Sequence, residues 1–126
     1  MKQIKKELEI NEIPAVLWGV PSRKLYFYVH GQGGRKEEAA VFADVVCNLG
    51  WQVLSVDLPK HGQRINGTVE FEPWSIVPEL SGIMDFVKDR WKHISLYASS
   101  IGAWFGMLSF GNEPLKNCLF VSPVLD

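Results

Sequence analysis

The stretch Ile94-Ser95-Leu96-Tyr97-Ala98-Ser99-Ser100-Ile101-Gly102 decides the fold. It opens as a short apolar run of strand type, turns over small residues, and continues into a segment read as a helix over 102–110. A strand that turns sharply into a helix at a serine is the setting of a nucleophile elbow. Such a turn brings the chain close to itself, so small residues are needed two before and two after the serine. Ala98 and Gly102 stand there. The spacing selects Ser100 over Ser99, because Ile101 lies two after Ser99. A serine hydroxyl is a poor nucleophile until a base takes its proton. The helix start beyond Ser100 offers free N–H groups and a positive dipole end toward an oxyanion. The same small residues could also form a plain strand-to-helix turn packed for structure, so a second motif is needed to separate the two.

That motif lies upstream. Lys24-Leu25-Tyr26-Phe27-Tyr28-Val29 is a compact aromatic and β-branched run, read as a buried strand. His30-Gly31-Gln32-Gly33-Gly34 ends it. A helix is predicted over 35–49, with Ala39, Phe42, Val46 and Leu49 on its inward face and Glu37 and Glu38 near its N-terminal dipole. Gln52 to Val56 is the next strand, followed by Asp57-Leu58-Pro59-Lys60-His61-Gly62 and a loop over 60–73. A second helix runs from Ser75 to about Lys92, with Ile76, Leu80, Ile83, Val87 and Trp91 as its apolar stripe. Pro78 is tolerable in it only within the first turn. Two strands over 3–10 and 14–20, with Asn11-Glu12 as turn material, precede all this, and a last strand covers 117–122. Short apolar strands alternating with amphipathic helices predict one α/β domain over 1–126, a mostly parallel sheet with helices on both faces.

Bulk properties exclude several classes. Of 126 residues, 47% are hydrophobic and 21% charged, enough apolar matter for a core. A net charge of −1 gives no field for nucleic acid or anionic membrane. No apolar run approaches the roughly 20 residues that span a bilayer, and Met1 to Glu7 lacks a signal-peptide core. Cys47 and Cys118 have no metal-type spacing and read as buried free thiols of a reducing compartment, so the cytoplasm is expected. Gly31-Gln32-Gly33-Gly34-Arg35-Lys36 begins like a dinucleotide fingerprint, but Lys36 stands where the third glycine belongs. No metal and no cofactor are expected. Trp51, Trp74, Trp91 and Trp104 read as core and cleft wall rather than a base-stacking platform.

Three segments now stand in order: His30 to Gly34, Asp57 to Gly62, and Ala98 to Gly102, each at a strand's C-terminal end. Together they resemble the N-terminal part of an α/β-hydrolase, over about residues 14–126. The resemblance implies Ser100 as nucleophile and an oxyanion hole from the N–H groups of Gln32 and Ile101. It makes His30, Gly31 and Gly33 parts of the oxyanion loop. His30 would prop that loop, His61 would be mainly structural, and Asp57 would brace its own loop. Lys60 stands where the family's segment has a glycine. His93 reads as solvated. In this fold the triad runs serine, acid, histidine, so the base is expected beyond residue 126. Asp126 is a candidate acid after the sixth strand, against the plainer reading of a solvated loop residue.

The expected function is that of a serine hydrolase acting on an ester, thioester or related acyl bond of a small-molecule substrate. A non-catalytic protein of the same fold, a pseudoenzyme or interaction module, is the alternative, since fold does not fix function. The chain reads as an inactive fragment, truncated after about the sixth strand. Its last, apolar strand would be an open edge, expected to pair with another copy.

Overall fold

In the computed structural model, residues 4–99 and 117–121 are described. The strands are β1 (Lys5–Ile10), β2 (Ile13–Trp18), β3 (Lys24–Val29), β4 (Gln52–Val56), β5 (His93–Ser99) and β6 (Asn117–Val121). They form one sheet in the order β1-β2-β4-β3-β5-β6.

The sheet is mixed, which corrects the expectation of a mostly parallel one. β1–β2 and β2–β4 pair antiparallel, whereas β4–β3, β3–β5 and β5–β6 pair parallel. The cause is local. Asn11 and Glu12 both take positive φ, 52° and 67°, the signature of a tight primed hairpin that sends β2 straight back along β1. The link over 19–23 is too short for a crossover, which needs a dozen or more residues, so β3 cannot run parallel to β2.

Two helical segments cover opposite faces. A 3-10 turn, Lys36–Ala39, leads into α1 (Ala40–Val46), which closes in a second 3-10 turn, Cys47–Leu49. The other helix is α2 (Pro73–Lys88). Strand side chains alternate between them, as the two-residue repeat requires. Leu25, Phe27 and Val29 of β3 pack with Ile76, Leu80, Ile83, Met84 and Val87 of α2. Tyr26 and Tyr28 point the other way, toward Ala39, Ala43 and Val46.

Three details depart from the sequence reading. Leu49 is 66% exposed rather than inward-facing, because the segment ends in 3-10 geometry and its residues fall out of the 3.6-residue phase. α2 starts at Pro73, so Trp74 lies on its exposed first turn, 72% accessible, not in the core. The earlier start also puts Pro78 beyond the first turn; its missing N–H deprives the Trp74 carbonyl of a partner at an exposed residue. Trp51 and Trp91 are half-buried and contribute to the two cores as expected, and Cys47 is a free, half-buried thiol. Trp104 and the predicted helix over 102–110 lie outside the described residues. No helix among the described residues is long and apolar enough to cross a membrane.

Candidate functional site

Register sets the site. Val29 pairs with Val56 on one side and with Ala98 on the other. The three parallel strands therefore end level. The segments that begin at His30 and Asp57 leave the edge of the sheet at which β5 ends with Ser99, the C-terminal edge where open α/β sheets hold ligands.

The first loop is tightly specified. Gly34 N–H donates to the Gly31 carbonyl at 3.0 Å, closing a turn over 31–34. Gly33 has φ +82°, the value of the third residue of a type II turn, where a side chain is disfavoured. The Gly31 carbonyl also accepts from His30 Nδ1 at 2.7 Å. A trans peptide holds its C=O and the following N–H on opposite sides, and no cis bond occurs here. With the Gly31 oxygen drawn inward by two donors, the N–H of Gln32 points outward, at an exposed residue.

Two histidines tie this loop to the next. His30 Nε2 accepts the Leu58 N–H at 3.1 Å, and His61 Nε2 accepts the Gly33 N–H at 2.9 Å. Each ring donates from Nδ1 to a carbonyl, Gly31 for His30 and Pro59 (2.8 Å) for His61. The rings lie 5.0 Å apart. His30 is fully buried, and burial first of all pushes its pKa down. The Gly31 carbonyl works against this, His61 adds to it, and Glu38 and Asp57 oppose it. All four ring nitrogens are thus engaged. His93, the third histidine, opens β5 at the opposite edge and is half-buried rather than solvated.

Asp57 anchors the second loop. Its Oδ1 accepts the Lys36 N–H at 2.8 Å, and its Oδ2 accepts Lys36 Nζ at 2.9 Å and the Gln63 N–H at 3.0 Å. Burial opposes the charge on Lys36, but the hydrogen bonds to Asp57 and Glu37 outweigh it and raise its pKa. Arg64 grips Glu79 of α2 through two 2.7 Å bonds and also reaches the Asp57 carbonyl. His30, His61 and Asp57 thus each bond to a neighbouring loop or turn. The pairing of Lys36 with Asp57 is not evident in the sequence because lysine is seldom fully buried; a lysine beside a glycine-rich loop, with an aspartate at the next strand's end, is the available signal.

Below the loop, the Tyr28 hydroxyl donates to Glu38 at 2.8 Å, and its ring stacks on Tyr97 at 4.7 Å. Burial, then Glu38, raises the Tyr28 pKa, so the phenol stays protonated. Ser100, Ile101 and Asp126, the candidate nucleophile, second oxyanion donor and acid, lie outside the described residues. Among the described residues no cluster of three His, Cys, Asp or Glu side chains could hold a metal.

No family model and no curated relative matches the chain. Solved structures do. A cold-adapted esterase from an Arctic intertidal metagenomic library superposes with a TM-score of 0.73 at 20% identity, covering 94% of this chain and 59% of that one. The monoacylglycerol lipase of Paleococcus ferrophilus gives 0.71 at 16%, covering 100% and 45%. The dienelactone hydrolase of Anabaena variabilis gives 0.73 at 15%, covering 94% and 62%. The chain spans about half the length of these proteins. Strand order, level loop ends and these superpositions agree, and the chain has the α/β-hydrolase fold.

Proposed function

We propose that the chain carries the nucleophile and oxyanion part of a serine hydrolase that cleaves an ester, thioester or related acyl bond. The observation that carries this reading is the register of β3 against β5. Val29 sits opposite Ala98, so the turn holding Gln32 and the segment leading to Ser100 start side by side at one edge. In this reading Ser100 Oγ attacks the acyl carbon. The Gln32 and Ile101 N–H groups stabilise the negative charge that forms on the carbonyl oxygen. Support for Gln32 comes from its neighbours: the Gly33 and Gly34 N–H groups are spent inside the structure, while its own donates to no described group. A preorganised donor of this kind is worth about 10²–10³ in rate.

The proton acceptor must be another group. His30 and His61 have both ring nitrogens occupied, and His93 lies at the far edge. The whole protein would therefore draw its base, and its acid if Asp126 is not that residue, from elsewhere. With Cys47 a free thiol, a reducing compartment such as the cytoplasm is the location we infer.

A fluorophosphonate probe tests the reading. The protein encoded by the whole reading frame should label, and Ser100→Ala should abolish labelling. Residues 1–126 alone should label weakly or not at all, since none of the three histidines is placed to serve as the base. Failure of the whole protein to label would favour a non-catalytic module on the same scaffold.

A further inference from the structure

The geometry points to His61 as a positioning residue for the oxyanion donor: by capturing the Gly33 amide it holds the 31–34 turn in the one setting that presents Gln32. This inference rests on the hydrolase reading above.

The tautomer of His61 is fixed by its partners. Pro59 offers a carbonyl, which only accepts, so Nδ1 carries the proton. Nε2 is then a lone pair, and the Gly33 N–H fills it at 2.9 Å. Packing 4.6 Å from Phe71 and 5.0 Å from His30 restrains the ring from turning away. Its acceptor is therefore a fixed feature of the site, brought in from a different strand end.

What that acceptor selects is a peptide orientation. Type I and type II turns differ by a flip of the middle peptide, here Gln32–Gly33. Gly33, with φ +82°, is in the type II setting. Among the described residues nothing lies within 4 Å of where a Cβ on Gly33 would be, so their packing around that position does not hold the setting. A flip would withdraw the Gly33 N–H and turn the Gln32 carbonyl oxygen toward a lone pair on Nε2, which repels it. Neutral His61 with its proton on Nδ1 thus favours one setting and penalises the other. The Gln32 amide is preorganised as a consequence, and preorganisation is what gives such a donor its catalytic value. His30 anchors the first peptide of the turn, and His61 anchors the second.

The test has a spectroscopic and a kinetic part, both on the protein of the whole reading frame. Long-range proton–nitrogen correlation spectra should show His61 as the Nδ1–H tautomer, the signal being assigned by its loss in His61→Gln. With p-nitrophenyl acetate, His61→Leu should lower kcat by about 10²-fold while KM stays within about twofold. His61→Gln, whose Oε1 can accept the same N–H, should keep kcat within about fivefold of the parent. An Nε2–H tautomer would overturn the inference. So would an unchanged kcat in His61→Leu, or an equal loss in a His61→Gln variant of unchanged thermal stability. A protein with the expected tautomer but no fluorophosphonate label on Ser100 would sink the hydrolase reading itself. One that labels but shows the Nε2–H tautomer would sink the His61 role alone.

Discussion

Lys36 and Asp57, 21 residues apart in the chain, form an ion pair that solvent does not reach: Nζ and Oδ2 are 2.9 Å apart, with side-chain exposures of 1% and 0%. The pair joins the first turn after the glycine loop to the end of β4, so it couples both loops of the candidate site. The two partners are not equivalent. Asp57 also accepts the Lys36 and Gln63 backbone N–H groups, whereas Lys36 has Glu37 and Gln63 as further partners for its ammonium. Asp57→Leu should therefore cost about 3–5 kcal/mol, since it removes the fully buried counter-ion of the ammonium and leaves two N–H donors without their acceptor. Lys36→Met should cost less, because the carboxylate keeps both backbone donors. A double-mutant cycle by urea unfolding should show coupling without recovery in the double variant. A double variant as stable as the parent would mean that Asp57 is only a counter-ion.

Gly62 and Lys60, both of positive φ, should respond differently to substitution. Gly62 has φ +54°, and a Cβ on it would lie 2.2 Å from Asp57 Oδ1. Gly62→Ala should lose roughly 2 kcal/mol or more, by displacing the carboxylate that holds Lys36. Lys60 has φ +64° without being glycine. Lys60→Gly would relieve about 1 kcal/mol of backbone strain, offset by loss of the exposed 2.6 Å bond from Nζ to the Gly67 carbonyl. A net effect within about 1 kcal/mol of zero is expected for it, read from denaturant midpoints of both variants. A Gly62→Ala variant as stable as the parent would contradict the close approach at Asp57.

Lys60 also shows what the sequence could and could not tell. A lysine where a glycine is usual weakened the match of that loop to the α/β-hydrolase pattern, yet the backbone there keeps the left-handed conformation that glycine favours. The loops at His30 and Asp57 were readable because each is a break in an apolar run, and breaks are local; the turn expected after Ala98 rests on the same signal and lies outside the described residues. The level alignment of their strands, the antiparallel insertion of β2 beside β4, and the bonds by which His30 and His61 each take an N–H from the other's loop are not local. They depend on which strand ends meet. The ion pair of Lys36 was not legible for the same reason: the lysine is buried against Asp57, which arrives from another strand. Ser100, Ile101 and Asp126 rest on motif and spacing alone.

The last strand yields a prediction about association. Among the described residues β6 pairs only with β5, leaving its other edge without a described partner. The run Cys118-Leu119-Phe120-Val121 carries no charge, and an uncharged apolar edge recruits further strands. Residues 1–126 produced alone should elute from size-exclusion chromatography above monomer size. A lysine at Leu119 should shift the chain toward monomer. A monomeric parent chain at micromolar concentration would refute association through this edge.

His30 should make stability depend on pH. Burial lowers its pKa in the folded state, with the opposing pull of the Gly31 carbonyl, Glu38 and Asp57 too weak to restore it. The unfolded chain takes up the proton at about pH 6.5. Between the folded and unfolded values the unfolded state holds more protons, so stability rises with pH. The contribution of His30 is complete above about pH 6.5 and is lost as pH falls toward and through its folded value. Protonation there would set an Nε2–H against the Leu58 N–H that now donates to it. Urea midpoints should therefore fall on acidification below about pH 6.5. His30→Gln, which can accept the Leu58 N–H without titrating, should show a shallower fall. Identical slopes for parent and variant would place the pH dependence in other groups.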